Sequence, residues 1–331
     1  MTRCFVFTLA CTVLAASNAT APAFAQAVRA TPVTVTVLST MLVGGVNAGI
    51  GEWGFAAVVQ VGDRRLLVDT GARAETVLKN AAELRVDLAS ITDLVLTHNH
   101  ADHTGGLLTL RRELAKQNPQ ALSRVHVPKG AFYPRPMAGG REGNGLLPLK
   151  AAYEATGGVF VEHAGPVVLM PGVTMLGPIP RVHPERNWGN PRGGGPDGRV
   201  ITPAGEVEDN VPEDTSVVID TPDGLVLVSG CGHAGIVNTM EFARRAVRLA
   251  PIVAAIGGFH LFAASEETLA WTAERMTAMG VRHLLGAHCT GIEAVYRLRA
   301  LAGLTRATAA VAGVGATYEH GKGIDPTTLA R

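Results

Sequence analysis

The stretch Thr97 to Gly106, THNHADHTGG, puts His98, His100, Asp102 and His103 within six positions. The whole chain of 331 residues has 11 histidines, so three of them in one short run is a strong concentration. Imidazoles that close repel one another when protonated and can share a cation when neutral. The run TDLVLTH, Thr92 to His98, predicts a short buried strand, and GGLLTLRRELAKQ, Gly105 to Gln117, has helical spacing. Side chains on a tight strand-to-helix turn converge on one point. His98 and His100, two apart in extended chain, are expected to face one ion, with Asp102 and His103 turned onto a second. Neutral imidazole and carboxylate suit zinc, iron(II) or manganese, and the set lacks the thiolates of a structural Cys-rich zinc site. A solvated polar turn has no need of this density of imidazole.

Strand and helix signals alternate along the chain. WGFAAVVQV, Trp53 to Val61, a turn at Gly62-Asp63 and RRLLVDTG predict a hairpin, followed by a helix from about Ala74 to Leu84. Ser216 to Gly230 predicts a second hairpin turned by Pro222-Asp223-Gly224. Helix Gly235–Val247, strand Ile252–Gly258, helix Ser265–Gly280, strand Arg282–His288 and helix Gly291–Gly303 are expected next, with a closing hairpin around Ala307 to Tyr318. Two halves of this kind pack as helix, sheet, sheet and helix layers. Between about Asn118 and Asn210 the pattern loosens, and YPRPMAGGREGNG and NWGNPRGGGPDGR are rich in Gly, Pro and Arg. Residues 118–210 are therefore expected to be a loop-rich substrate insert within a single domain spanning 26–331.

The first 25 residues read differently. Arg3 precedes an apolar run, Cys4 to Ala16, and Ala23-Phe24-Ala25 offers a cut after Ala25. The run is shorter than the ~20 residues a membrane span needs. A cleaved signal peptide, a periplasmic or secreted mature chain and no stable membrane span are the expectation. Cleavage removes Cys4 and Cys11 and leaves Cys231 and Cys289 as site residues or as a disulfide pair. Lys+Arg is 29 against Asp+Glu 28, which gives no basic field for nucleic acid, so the expected partner is a small molecule.

THNHADHTGG resembles the HxHxDH signature of the metallo-β-lactamase superfamily of metal-dependent hydrolases, and LLVDTG, Leu66 to Gly71, resembles its earlier Asp-containing motif. SGCGHAGIVN (Ser229 to Asn238), GGFHL (Gly257 to Leu261) and GAHCTG (Gly286 to Gly291) resemble one branch. That branch carries the name 7,8-dihydropterin-6-methyl-4-(β-D-ribofuranosyl)aminobenzene-5'-phosphate synthase. The resemblance implies an α/β fold of the αββα four-layer sandwich type with metals at an edge shared by two sheets. It implies metal ligands at His98, His100, Asp102, His103 and His288, with Asp69 orienting the first motif without touching metal. Cys231 stands where the superfamily has a bridging Asp, and it is expected as a ligand or near-ligand. His233 is the expected third ligand of the first ion, and Asp214 is a weaker candidate for that place. His260 is expected to bind substrate or move a proton. Cys289, adjacent to His288, is expected to point away from the metal into packing.

Two divalent ions about 3.5–4 Å apart lower the pKa of a shared water from ~15.7 to about 7. The expected activity is attack by that hydroxide on an ester, lactone, amide or phosphoester, with Asp102 orienting the nucleophile. Zinc is the leading ion, with iron or manganese as alternatives. Arg135, Arg141, Arg181 and Arg192 suit an anionic substrate. Trp188 and Tyr133 could stack on a flat ring. Competing expectations are the synthase activity for which the branch is named and a non-catalytic metal-dependent sensor.

Overall fold

The computed structural model describes Met1, residues 29–185, Asn187 and residues 198–330. The expected signal segment 1–25, apart from Met1, and the cut after Ala25 lie outside the described residues. No helix among the described residues is long and apolar enough to cross a membrane.

Two β-sheets lie face to face. The first has eight strands in the order Gly323–Asp325, Thr317–Glu319, Val33–Ser39, Ala56–Val61, Arg64–Val68, Asp93–Val95, Arg124–Pro128 and Val159–His163. The second has seven, in the order Ala309–Val311, His283–Gly286, Ile252–Gly257, Gly224–Ser229, Ser216–Thr221, Val173–Met175 and Val167–Met170. Side-chain alternation sorts these strands onto their two faces. Val35, Val37, Val59, Leu66, Val68 and Val95 meet Val217, Ile219, Val226, Val228, Ile256 and Leu285 between the sheets. On the far side of the first sheet, Leu67, Leu94, Val125 and Val127 pack under helices Thr76–Glu83, Leu107–Ala115 and Leu146–Glu154. Val218, Leu225, Leu227 and Leu284 do the same under helices Ile236–Ala246, Glu266–Ala278 and Ile292–Leu301. Each such side chain contributes about 1.5–3 kcal/mol relative to exposure. The result is the four-layer αββα sandwich expected from the sequence.

Each sheet contains a run of parallel strands. Arg64–Val68, Asp93–Val95, Arg124–Pro128 and Val159–His163 run together in the first. Gly224–Ser229, Ile252–Gly257, His283–Gly286 and Ala309–Val311 run together in the second. The carboxyl ends of parallel strands are where open sheets expose backbone and loops to ligands.

Two regions differ from expectation. The segment Ala307–Tyr318 is not a hairpin. Ala309–Val311 belongs to the second sheet, while Thr317–Glu319 belongs to the first and pairs with Val33–Ser39 and Gly323–Asp325. The link Ala312–Ala316 bridges the sandwich: Ala312 N donates to Gly286 O at 2.8 Å, and Gly315 N donates to Val37 O at 2.8 Å. Residues 118–210 also contain more regular structure than a loop-rich insert, since they supply two strands to each sheet. Val159–His163 and Val167–Met170 are edge strands with partly exposed faces, so their apolar alternation is weak in the sequence. The irregular parts carry two small pairs, Pro136–Met137 with Arg141–Glu142 and Arg199–Thr202 with Gly205–Glu208.

Glycine at the end of Ile252–Gly257 is required by close approach. Gly257 has φ +112, and a Cβ there would lie 2.0 Å from Ser229 O. Gly257→Ala is expected to cost about 2–4 kcal/mol. Val159→Ala, at a side chain 49% exposed, should stay within about 0.5 kcal/mol. Urea denaturation midpoints of the two variants measure the difference, and equal midpoints would contradict the packing described here.

Candidate metal centre

Five strand ends deliver the polar residues. Asp69 directly follows Arg64–Val68, and His98 lies just past Asp93–Val95. Cys231 and His233 follow Gly224–Ser229, His260 follows Ile252–Gly257, and His288 follows His283–Gly286. Asp69, His260 and His288 have φ of 57°, 47° and 46°. Left-handed backbone is costly for non-glycine residues, and such strain collects at functional sites. Gly230 lets the second sheet close onto the first, because a Cβ there would lie 2.4 Å from Asp69 Oδ2 and 2.1 Å from Thr97 Oγ1.

Hydrogen bonds fix the orientation of the rings. Asp69 accepts Thr97 N–H and Thr97 O–H, each at 2.8 Å, and His103 Nδ1–H at 2.7 Å. The Thr97 hydroxyl is thereby used as a donor, so it accepts His98 Nδ1–H at 3.0 Å. His233 Nδ1–H donates to Asn187 O at 2.6 Å. His98 Nε2 and His233 Nε2 are left as buried lone pairs without a hydrogen-bond partner. His103 Nε2 lies 3.2 Å from Cys231 Sγ, and His288 Nε2 lies 3.2 Å from Asp102 Oδ2.

The donor atoms fall into overlapping groups, each within 4.8 Å: His98, His100 and His233; Asp102, His103 and His288; His98, His103 and Cys231; and Cys231, His260 and Cys289. These groups could each hold a metal ion. The structure thus brings together His98, His100, Asp102, His103, Cys231, His233 and His288, with Asp69 directly behind His103. His260 borders the cluster, its ring 4.6 Å from that of His233.

Matching this geometry, residues 54–234 fit the model of the Metallo-beta-lactamase superfamily. The chain belongs to that superfamily. It is 34% identical over 236 residues to a Methanocaldococcus jannaschii protein named 7,8-dihydropterin-6-methyl-4-(beta-D-ribofuranosyl)-aminobenzene-5'-phosphate synthase, covering 70% of this chain and 77% of that one. It is similar to the crystal structure of Tm1679, described as a metal-dependent hydrolase of the beta-lactamase superfamily, with 26% identity, TM-score 0.64 and coverage of 86% and 98%. The metallo-beta-lactamase fold protein YhfI from Bacillus subtilis shares the fold at 13% identity and TM-score 0.52, with coverage of 87% and 99%.

Several residues take places that differ from expectation. Cys289 does not point away: its Sγ lies 3.1 Å from Cys231 Sγ, and both thiols are free. Adjacency to His288 does not turn it away, because His288–Thr290 is a 3-10 turn. Asp214 belongs to none of the donor groups found among the described residues. Its Oδ2 accepts Ala234 N–H at 2.7 Å and so braces the turn that carries His233. Burial pushes the Asp214 carboxyl up to about 7. Arg135 is committed to Asp209 at 2.6 Å and Glu213 at 2.7 Å. Arg181 donates to the carbonyls of Asn210 and Val211. Arg141 is exposed on a small strand pair, and Trp188 and Arg192 lie outside the described residues. Two residues absent from the sequence-based candidates, Trp53 and Phe262, stand against the rings of His288 and His260 at 4.9 and 5.1 Å.

Electrostatics divides this superfamily site in two. Burial holds His98 and His233 far below the usual imidazole range, reinforced by neighbouring imidazoles, and it lowers His100 to about 4. These three are neutral at pH 7. Burial opposes charge on His103 and His288 too, but anionic neighbours outweigh it: the Asp69 and Asp102 carboxylates raise His103, while the Cys289 sulfur and the Asp102 carboxylate push His288 up to about 10. Burial likewise opposes charge on Asp102, yet His103 and His288 hold its carboxyl well below the usual range. A proton on His288 therefore stands where a cation could bind, and a cation bound there would displace it. Zinc titration at pH 7 is expected to release at least about one proton per chain, and affinity should rise with pH toward about 10. Calorimetry in two buffers of different ionisation enthalpy measures this, and zinc binding without proton release would contradict the charge assignment.

Proposed function

We propose that the chain is a hydrolase that works with two divalent cations, one held by His98, His100 and His233 and the other by Asp102, His103 and His288. The observation that carries this is the pair of buried, unpartnered nitrogens, His98 Nε2 and His233 Nε2. An unsatisfied buried polar atom costs about 1–3 kcal/mol, and a ligated cation removes that cost. Imidazole-rich sets with a carboxylate fit zinc best, with iron or manganese as alternatives. Bound there, the cations would supply Lewis acidity and bring the pKa of adjacent water toward neutrality.

The protein's own residues have distinct tasks in this proposal. Asp69 locks His103, and Thr97 locks His98, so each ring presents Nε2 inward. Asp102 has a side chain 23% exposed, at the open face of the cluster, and it orients the attacking water. Cys231 lies between the groups, in contact with His103, and tunes both. His260 stands at the margin and passes a proton to the leaving group. The substrate is a small molecule with an ester, lactone, amide or phosphoester bond. The proposal includes export of the mature chain from Gln26, which rests on the apolar leader alone.

The Methanocaldococcus jannaschii relative supports a second reading, a synthase acting on a pterin and an aminobenzene ribofuranosyl phosphate. An ester, lactone and phosphodiester screen with the zinc-loaded protein tests the first. His100→Ala is expected to abolish turnover, and Asp69→Asn to reduce it about 10–100-fold through its hold on His103. Condensation of pterin and aminobenzene substrates with no hydrolysis would favour the synthase. Bound metal with no turnover of either kind would leave a sensor.

A further inference from the structure

We propose that Trp53 and Phe262 form a wall of this site that recognises a planar aromatic ring in the substrate, attached next to the reacting bond. The proposal rests on the placement of the reaction at the candidate metal centre. Trp53 is 48% exposed and Phe262 is 39% exposed. Their rings meet edge to face, with centroids 5.6 Å apart and planes 87° apart. Trp53 lies against His288 and Phe262 against His260, so the corner stands on the rim of the cluster.

Both aromatic residues are held there by packed structure. The Glu52 side chain is buried and accepts Ser39 Oγ at 2.7 Å, Ala72 N at 3.0 Å and Arg73 N at 3.0 Å. Glu52 N also donates to Thr40 O at 2.9 Å, and Thr40 Oγ1 in turn accepts His288 N–H at 3.0 Å. Trp53 therefore rides on the same scaffold as His288. Phe262 N donates to Cys289 O at 3.3 Å, and Gly291 packs so closely that a Cβ there would lie 2.7 Å from Phe262 Cα. Two rigidly placed aromatic faces left in water beside a reactive cluster are a binding surface in waiting. An edge-to-face corner offers one flat face and one ring edge, which complements the quadrupole of a third ring. An aliphatic group of equal size gains only the apolar contact.

Equilibrium dialysis of zinc-loaded protein separates this role from simple shielding of His288. The probes are 2-naphthoate and its fully saturated analogue, and the uncharged amides of both. The wild type is expected to bind each naphthalene compound about tenfold more tightly than its saturated partner, a factor equal to about 1.4 kcal/mol. Trp53→Leu keeps an apolar cover over His288 and should abolish the preference, weakening the naphthalene probes far more than the saturated ones. Trp53→Phe should keep part of it, and Phe262→Leu should reduce it. No preference in the wild type, or an undiminished preference in both Leu variants, would overturn the proposal. The amide pair reads the ring without a carboxylate anchor, so a centre that holds no metal still leaves the ring preference measurable. Conversely, carboxylate binding tighter than amide binding with no ring preference sinks this proposal alone.

Discussion

The carboxylate of Asp69 ties the molecule together at the point where its two sheets meet. It takes both Thr97 donors and the His103 ring, and the backbone of Gly230 from the other sheet closes directly over it. A side chain at position 230 would separate the sheets. A residue without two acceptor oxygens at position 69 would leave Thr97 or His103 without a partner. From this one group the orientation passes outward: Thr97 sets His98, and His103 presents its second nitrogen toward Cys231. The left-handed backbone of Asp69 is the local cost of this arrangement, and the surrounding packing offsets it.

The sandwich explains why residues nearly two hundred positions apart in sequence, such as His98 and His288, share one small volume. Parallel strands in both sheets end on the same edge, so each strand end can contribute one or two side chains. Loops from elsewhere then brace those ends. Asn187 O fixes His233, Asp214 supports Ala234, and the Glu185 carboxylate accepts the Asn238 amide at 2.8 Å at the start of helix Ile236–Ala246. The stretch around Glu185 and Asn187 thus serves to position His233. The same division appears in the charges. Burial keeps His98, His100 and His233 neutral, whereas Asp69 and Asp102 raise His103 and Cys289 and Asp102 raise His288, so the two halves of the cluster respond differently to a cation.

Much of this was legible in the sequence because its signals are local. The density of His98, His100, Asp102 and His103 declares itself without a fold, and the alternation of hairpins and strand–helix units points to two sheets between helix layers. Asp69, Cys231, His233 and His288 were reachable through the resemblance to a family, and the structure brings them to the same place. What failed depends on contacts that no window of sequence contains. Cys289 was misplaced because neighbours in sequence were expected to point apart, which does not hold in the 3-10 turn His288–Thr290. Asp214, a weaker ligand candidate, lies outside the donor groups found among the described residues and supports a backbone amide through one oxygen. The closing hairpin was misread because Ala312–Ala316 bonds to both sheets, a fact visible only once both exist. Trp53 and Phe262 gave no signal, since lone aromatic residues in apolar stretches ordinarily read as core. Their exposure follows from how Glu52 and Gly291 anchor their loops.

The central claim is that separate strand ends assemble two adjacent cation sites with different ligands. Crystals of zinc-loaded protein measured at the zinc absorption edge test it most directly. Two anomalous peaks are expected, one among His98, His100 and His233 and one among Asp102, His103 and His288. A single peak among Cys231, Cys289 and His260, or no peak in this cluster at saturating zinc, would contradict it.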